Sequence, residues 1–151
     1  MSKFANYNPP TVVVPLVWVN GGLLVIRRAL AHGYGKICLP GGFQEMGDSW
    51  IDTLVKETHE ESGVHTGVNW KIFDYQSIEG NTKNLLIASY EGPEPQYTPW
   101  TETQLAAQEV RETLEVLIWT PELDAEWAFP LHESAAKTYW DSKSSQKIDP
   151  P

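Results

Sequence analysis

Hydrophobic residues at the start of the chain follow the pattern of two β-strands joined by a tight turn. β-Branched residues dominate Thr11–Val19, and Asn20-Gly21-Gly22 separates this run from the apolar run Leu23–Arg28. An Asn-Gly turn between two such runs predicts a β-hairpin. Because Pro15 has no backbone N–H to donate, its presence in the first run predicts an edge position or a bulge.

Residues 49–62 contain neither Gly nor Pro, and their apolar positions recur with a helical period. Asp48 or Ser49 can cap the N-terminus of this helix, and Gly63 is suited to end it. At about 100° per residue, the least polar side chains share one stripe that should pack on a sheet. That stripe consists of Ile51, Leu54, Val55 and Thr58.

The rest of the chain predicts further strands, two more helices and two loops. The strands are Lys36–Leu39, Val68–Tyr75, Leu85–Tyr90 and Thr113–Trp119, and the helices are Glu102–Arg111 and Pro130–Trp140. The polar segment Gln76–Asn84 and the proline-rich segment Glu91–Trp100 are predicted loops. This order predicts an α/β domain with a mixed β-sheet between helices. A single domain should span residues 11–140, with flexible ends at residues 1–10 and 141–151.

Three carboxylates, those of Glu57, Glu60 and Glu61, lie near the C-terminal end of the predicted helix. Like charges at these spacings repel each other, and close carboxylates raise one another's pKa. A bound Mg²⁺ or Mn²⁺ would remove that repulsion, since both ions prefer oxygen ligands. A solvated acidic face is the usual explanation for a Glu-rich helix. Here, however, the glycine-rich loop Pro40-Gly41-Gly42 in front of the helix lets a ligand approach the backbone closely.

The loop and the helix together form one long spaced motif. It comprises Gly42, five residues, Asp48, seven residues, and then Lys56-Glu57-Thr58-His59-Glu60-Glu61-Ser62-Gly63-Val64. This motif resembles the Nudix box, in which a Gly, a Glu, an Arg-Glu pair, a Glu-Glu pair and a final Gly occur at the same spacing. The Leu-Pro-Gly-Gly sequence that ends at Gly42 agrees as well. The resemblance implies the Nudix-type α/β/α sandwich over nearly the whole chain.

Three positions depart from the Nudix box: Asp48 replaces a Glu, Lys56 replaces an Arg, and Thr58 replaces an aliphatic residue. Asp48 keeps its charge, and the Thr58 hydroxyl can bond to the carbonyl of Leu54, so both changes should preserve the helix. An Arg fork can hold a glutamate through two bonds, whereas a Lys ammonium is a single point charge. Lys56 is therefore expected to reduce activity.

The resemblance also implies roles for residues of the box. Glu57 and Glu61 would be metal ligands, Glu60 a ligand or base, and the Gly42 carbonyl a further ligand. Glu57, Glu60 and Lys56 would be the catalytic residues, with Lys56 orienting a glutamate in place of the Arg. The cation would be Mg²⁺ or Mn²⁺.

Four charged residues outside the box are further candidates. Arg27 or Arg28 could contact phosphate, although surface ion pairing is the more usual role of such residues. Because adjacent strand residues point to opposite faces, at most one of them should face a given ligand. In the Nudix family a further glutamate often completes the site shortly before a Trp-containing strand. Glu112 is the first choice for that role and Glu109 the second, with a surface role as the alternative for each.

Charge and cysteine content limit the class of partner and the compartment. A net charge of −9 over 151 residues disfavours nucleic acid and anionic membrane surfaces as partners. The single cysteine, Cys38, excludes a disulfide within the chain and indicates a reducing compartment. Val12–Val19 is too short to span a bilayer, and no signal-peptide pattern precedes it, so a cytoplasmic location is expected. The expected partner is a small-molecule nucleotide, and because Nudix proteins are often dimers, a homodimer is a further expectation.

The reaction implied by the resemblance is hydrolysis of the pyrophosphate bond in a nucleoside diphosphate linked to another group. One alternative is hydrolysis of oxidised or non-standard nucleoside triphosphates, which uses the same metal chemistry. Another is a non-catalytic nucleotide-binding module, which Asp48 and Lys56 favour and the three retained glutamates disfavour. The segment Gly80-Asn81-Thr82 carries neither the proline of the family's ADP-ribose subgroup nor the tyrosine of its diadenosine-polyphosphate subgroup. No single substrate is therefore predicted.

Overall fold

The computed structural model of the chain describes residues 8–146, over which eight strands and three helices follow one another. The strands are β1 (Thr11–Leu16), β2 (Trp18–Val19), β3 (Gly22–Arg28), β4 (Ile37–Cys38), β5 (Gly42–Phe43), β6 (Trp70–Ile78), β7 (Lys83–Tyr90) and β8 (Thr113–Trp119). The helices are α1 (Trp50–Ser62), α2 (Glu102–Ala106) and α3 (Pro130–Gln146). No helix within residues 8–146 is both long and apolar enough to cross a membrane.

The strands form two separate sheets, and the predicted first strand of the chain contributes to both. The first sheet has the order β5-β1-β7-β6, in which β1 and β7 are parallel and the other pairs antiparallel. In the second sheet β3 pairs with β2, β4 and β8. The predicted strand Thr11–Val19 is therefore two strands, because the chain changes sheets at Val17. Pro15 lies beyond the part of β1 that pairs with β5, so β1 has an open edge there, as predicted.

Two hairpins connect neighbouring strands. Asn20 and Gly21 have φ values of 54° and 88°, which are typical of the tight turn that the sequence predicts between β2 and β3. The predicted loop Gln76–Asn84 was wrong, because β6 continues to Ile78 and β7 begins at Lys83. Glu79, Gly80 and Asn81 all have positive φ, so the chain reverses within a short turn. The residues on either side of this turn therefore pair as strands up to Ile78 and Lys83.

The helices pack on opposite sides of the sheets. Leu54 of α1 lies in one core cluster with Val13, Leu24 and Leu86. Tyr139 of α3 lies in the other cluster, among apolar side chains that include Leu16, Leu23, Ile87 and Trp119. This arrangement confirms the predicted α/β fold with mixed sheets between helices. On the predicted stripe of α1, Leu54 and Thr58 are buried, whereas Ile51 and Val55 are partly exposed.

Both later helices differ in length from their predictions. α2 ends at Ala106 rather than Arg111. α3 continues to Gln146, so the prediction that a flexible tail begins at residue 141 was wrong for residues 141–146. The polar residues of this last stretch satisfy one another along the helix, as in the bond from the Ser145 hydroxyl to the Asp141 carbonyl. Of the predicted flexible ends, residues 1–7 and 147–151 lie outside the described residues, whereas residues 8–10 are described as an exposed segment without helix or strand.

Candidate active site

Helix α1 is fixed at both ends by its own sequence. Ser49, not Asp48, is the N-cap: its hydroxyl accepts a hydrogen bond from the Asp52 N–H at 3.0 Å, and the Asp52 carboxylate accepts one from the Ser49 N–H at 2.9 Å. At the other end Gly63 adopts the left-handed conformation with φ of 86°, and its N–H bonds to the His59 carbonyl. These two caps set where Glu57 and Glu61, one turn apart, lie relative to the sheets.

Glu57, Glu61 and Glu112 come together at the C-terminal end of α1. One carboxylate oxygen from each lies within 4.8 Å of the other two, and we call this group the carboxylate cluster. Glu112 immediately precedes β8, and its carbonyl accepts a hydrogen bond from the Ala29 N–H at 2.9 Å. The glutamate ranked first outside the Nudix box is thus adjacent to the box glutamates. Glu109, ranked second, is exposed and is not a member of the cluster.

The glycine-rich loop contacts two members of the carboxylate cluster. The Gly41 N–H donates to Glu61 Oε2 at 2.7 Å. A Cβ atom at Gly42 would lie 2.7 Å from Glu57 Cδ, so any side chain at residue 42 would displace that carboxylate. β5, a short strand that the sequence analysis read as loop, positions this segment through its pairing with β1. The glycines are therefore needed for close approach to the carboxylates as well as to any ligand.

Burial and mutual repulsion destabilise the charges of the cluster. Burial, with the charges of Glu60 and Glu112, raises the pKa of Glu57 to about 7. Glu61 is 7% exposed, and its burial raises its pKa well above the ordinary range, opposed by the hydrogen bond from Gly41. Oxygen ligands at this separation suit a hard divalent cation, whose charge would offset both effects. The residues present therefore fit Mg²⁺ or Mn²⁺.

Glu60 and Lys56 do not lie where the resemblance implied. The Glu60 side chain is exposed and outside the cluster, although its charge acts on Glu57. The Lys56 ammonium lies 3.0 Å from an Asp48 carboxylate oxygen and 3.4 Å from one of Glu45. Among the described residues its hydrogen bonds thus go to the helix start and the loop, and not to a box glutamate. The reason is geometric, because Asp48 directly precedes the N-cap Ser49 and lies within reach of the long Lys56 side chain.

Arg27 and Arg28 point to opposite faces, as the strand pattern predicts. Arg28 lines the cavity beside the cluster, donates from Nε to the His32 carbonyl at 2.8 Å, and lies over the Phe129 ring. Arg27 instead pairs with Glu115, with Nε 3.2 Å from a carboxylate oxygen. Only Arg28, of the two, can meet a ligand bound at the cluster.

A cavity of about 910 Å³ lies beside the carboxylate cluster. One wall is the end of the first sheet, where the strand register places Phe43, Val12 and Leu85 side by side on one face. Phe43 is 49% exposed, and the ammonium of Lys83 lies 5.7 Å from its ring centroid. The sequence analysis missed this wall. The one feature of the sequence that could have indicated this wall is the position of Phe43, an aromatic residue directly after Gly42 of the glycine-rich loop.

The opposite wall is built around the start of α3. His132 is buried there, and its Nδ1 accepts a hydrogen bond from the Leu39 N–H at 3.1 Å. Burial lowers the pKa of His132 to about 4, so the ring is neutral at physiological pH. Cys38 also lines the cavity, and burial raises the pKa of its thiol to about 12, which makes it unreactive.

Comparison with known proteins agrees with the resemblance to the Nudix box. The family model described as the NUDIX domain matches residues 7–142. The Caenorhabditis elegans protein "Nudix hydrolase 3" is 37% identical over 59 residues, which are 36% of this chain and 25% of that protein. The Methanocaldococcus jannaschii "ADP-ribose pyrophosphatase" is 28% identical over 89 residues, or 58% of this chain and 53% of that protein. The chain thus spans about a quarter and about half of the lengths of these two relatives.

The fold is shared with solved structures at low sequence identity. The solution structure of the E. coli ORF135 protein matches with a TM-score of 0.66 and 17% identity, over 98% of this chain and 100% of that one. A structure titled as a NUDIX hydrolase from Nitrosomonas europaea matches with a TM-score of 0.65 and 16% identity, over 90% and 91% of the two chains.

We predict that His132 makes the protein less stable in acid. Because its pKa of about 4 in the folded state lies below the ordinary value of 6.5, the unfolded chain takes up the proton first. The free energy of unfolding should therefore fall as the pH decreases from about 6.5 to about 4, by about 2–3 kcal/mol for this group alone. The variant His132→Asn keeps an acceptor for the Leu39 N–H and has no imidazole to protonate, so it should not show this decrease in the free energy of unfolding. Urea unfolding of metal-free protein at pH 7, 5.5 and 4 measures it, and parallel pH profiles for the two proteins would contradict the assignment.

A second prediction concerns Glu61→Gln, which removes a buried charge and keeps the shape and the acceptor for Gly41. At pH 8 the metal-free variant should melt at a higher temperature than wild type, because the buried charge is gone. Mg²⁺ or Mn²⁺ should raise the melting temperature of wild type and leave that of the variant nearly unchanged. Differential scanning calorimetry measures both effects. Glu109→Gln, at an exposed glutamate, is the control and should behave like wild type.

Proposed function

Because the chain belongs to the NUDIX domain family, we propose that it is a Mg²⁺- or Mn²⁺-dependent hydrolase of nucleoside diphosphates linked to another group, cleaving the pyrophosphate bond. The observation that carries this proposal is the carboxylate cluster of Glu57, Glu61 and Glu112 at the wall of a large cavity. Such a cluster is costly without a cation. A phosphorylated ligand, in turn, could approach so acidic a site only with one.

The proposed roles divide the work among a few residues. Glu57, Glu61 and Glu112 would hold the cation, and the carbonyl of Gly42, packed against Glu57, is a further candidate ligand. When bound, the cation neutralises charge on phosphate oxygens and lowers the pKa of a water molecule. A bound cation would keep Glu57 ionised as a ligand, despite the burial that raises its pKa in the metal-free protein. Glu60 is proposed as a further ligand or base, acting from the exposed side of the cluster.

Arg28 is the proposed contact to the phosphates. It lines the cavity, and its charge stabilises ionised Glu61, so it lies close enough to share a ligand with the cluster. Lys83 is a second cation on the cavity wall. The apolar surface formed by Phe43, Val12 and Leu85 offers a place where a planar ring of the substrate, such as a nucleobase, can lie.

The pairing of Lys56 with Asp48 weighs against the alternative of a non-catalytic binding module. Each residue differs from the Nudix box, but their 3.0 Å contact pairs both charges at the start of α1. Although Asp48 and Lys56 both differ from the Nudix box, α1 and the carboxylate cluster are intact. The relative named as an ADP-ribose pyrophosphatase supports a nucleoside diphosphate linked to another group as the substrate, over a nucleoside triphosphate.

The proposal predicts metal-dependent turnover. Phosphate release should be measured with Mg²⁺ or Mn²⁺ on a panel of substrates. For nucleoside diphosphate derivatives, including ADP-ribose, the coupling enzyme is a phosphatase, and for nucleoside triphosphates it is an inorganic pyrophosphatase, which leaves the triphosphates themselves intact. Glu57→Gln should lower kcat by about 100-fold or more on the same substrate, since it removes a charged ligand of the proposed cation. Turnover of triphosphates alone would favour the sanitising alternative. If the protein binds a nucleotide tightly but hydrolyses no substrate of the panel, the result would favour the binding module.

The adjacent arginines provide a matched pair of variants. Arg28→Gln should raise KM by about tenfold, because it removes a charge from the cavity that a phosphate would meet. Arg27→Gln removes the same charge from the other face of β3 and should leave KM within about twofold. Steady-state kinetics on the substrate found in the panel separates the two. Equal effects of both variants would mean that neither arginine contacts the phosphates.

A further inference from the structure

We propose that Thr113 is a positioning residue that sets the distance between Glu61 and Glu112. Its side chain is fully buried, and its hydroxyl donates to the Glu61 carbonyl at 2.9 Å. Thr113 directly follows Glu112, so this hydrogen bond joins the residue next to one proposed ligand to the backbone of another. The inference rests on the proposed function, since it assumes that the carboxylate cluster holds a cation.

The last carbonyls of α1 need donors from elsewhere, because a helix leaves its final carbonyls without intrahelical partners. The His59 carbonyl accepts from the Gly63 N–H, and the Ser62 carbonyl from the Trp100 N–H. The Glu60 carbonyl accepts from the side chains of Trp100 and Gln108. Three of these carbonyls are therefore bonded by the helix cap or by the segment before Glu112. The Glu61 carbonyl differs, because its donor lies on β8 beside Glu112.

The backbone around Glu112 is not part of a regular ladder. The register of β8 on β3 shifts between Arg27 and Arg28, so that Arg28 pairs with Thr113 while Arg27 pairs with Glu115. Arg111 donates to the carbonyls of Thr113 and Leu114, at 3.0 Å each, across this irregularity. Regular strand pairing therefore does not by itself define where Glu112 lies relative to α1. The Thr113 hydroxyl supplies a direct connection.

The consequence is a geometric coupling. Three carboxylates bind one small cation only when their oxygens are held at the right separation, and Mg²⁺ tolerates little deviation. Residues that orient metal ligands without touching the metal change metal affinity by about 10–100-fold when they are removed. Loss of the Thr113 hydroxyl would remove this connection between Glu112 and Glu61, while leaving all three carboxylates and the bond from Ala29 to Glu112 in place.

Direct metal binding tests this. The Mn²⁺ dissociation constant should be measured by electron paramagnetic resonance for wild type, Thr113→Val and Thr113→Ser. Thr113→Val, which has nearly the same volume, should bind Mn²⁺ about tenfold more weakly. Thr113→Ser, which restores the hydroxyl, should lie within about threefold of wild type. Thr113→Ala is measured in parallel in case the valine variant does not fold, and it should show the same loss.

Thr58→Val is the matched control. Thr58 is also fully buried, and its hydroxyl donates to the Leu54 carbonyl within α1. This variant loses a buried hydrogen bond of the same kind and should keep wild-type Mn²⁺ affinity. An equal loss in Thr58→Val, or unchanged affinity in Thr113→Val and Thr113→Ala, would overturn the role of Thr113. Wild-type protein that binds no Mn²⁺ would overturn the proposed function itself, so the two failures are distinguishable.

Discussion

The repulsion among Glu57, Glu61 and Glu112 is the constraint on which the rest of the structure depends. Burial alone makes these charges costly, and their position adds to the cost, because the C-terminal end of a helix carries partial negative charge. Within the protein, the Gly41 N–H and the charge of Arg28 are the main opposing influences on Glu61. Neither neutralises a cluster of three carboxylates. The proposed cation would complete the electrostatics of this region.

The same constraint accounts for how the surrounding segments are arranged. Gly41 and Gly42 occupy positions where a Cβ would strike neighbouring atoms, and at Gly42 those atoms belong to the Glu57 carboxylate. The proline-rich loop 91–100 contributes Trp100, which bonds to two carbonyls of the last turn of α1. That loop therefore supports the helix end, while the cavity is lined by residues of other segments, among them β-strands, α1 and α3. The segment that holds the end of α1 is thus different from the segments that line the cavity.

The sequence allowed the helix, its caps and the box glutamates to be predicted, because those features depend on local spacing. It also allowed Arg27 and Arg28 to be placed on opposite faces, since a strand alternates its side chains. Local rules could not decide between Glu109 and Glu112, which lie three residues apart in an irregular segment. That decision depends on the pairing of β8 with β3 and on the Ala29 contact to Glu112, both of which are tertiary. The wall with Phe43 escaped prediction for the same reason, since it requires β5, β1 and β7 to lie side by side.

The departures from the Nudix box show how a motif can change while its structural role persists. The resemblance to the Nudix box implied that Lys56 is a weaker substitute for an arginine that orients a glutamate. In the structure Lys56 lies between Asp48 and Glu45, so its charge stabilises the entry to α1. The box glutamates then owe their orientation to other contacts, namely the Gly41 N–H for Glu61 and the close packing of Gly42 for Glu57. Because these contacts come from backbone atoms, the replacement of Arg by Lys at residue 56 leaves the carboxylate cluster intact.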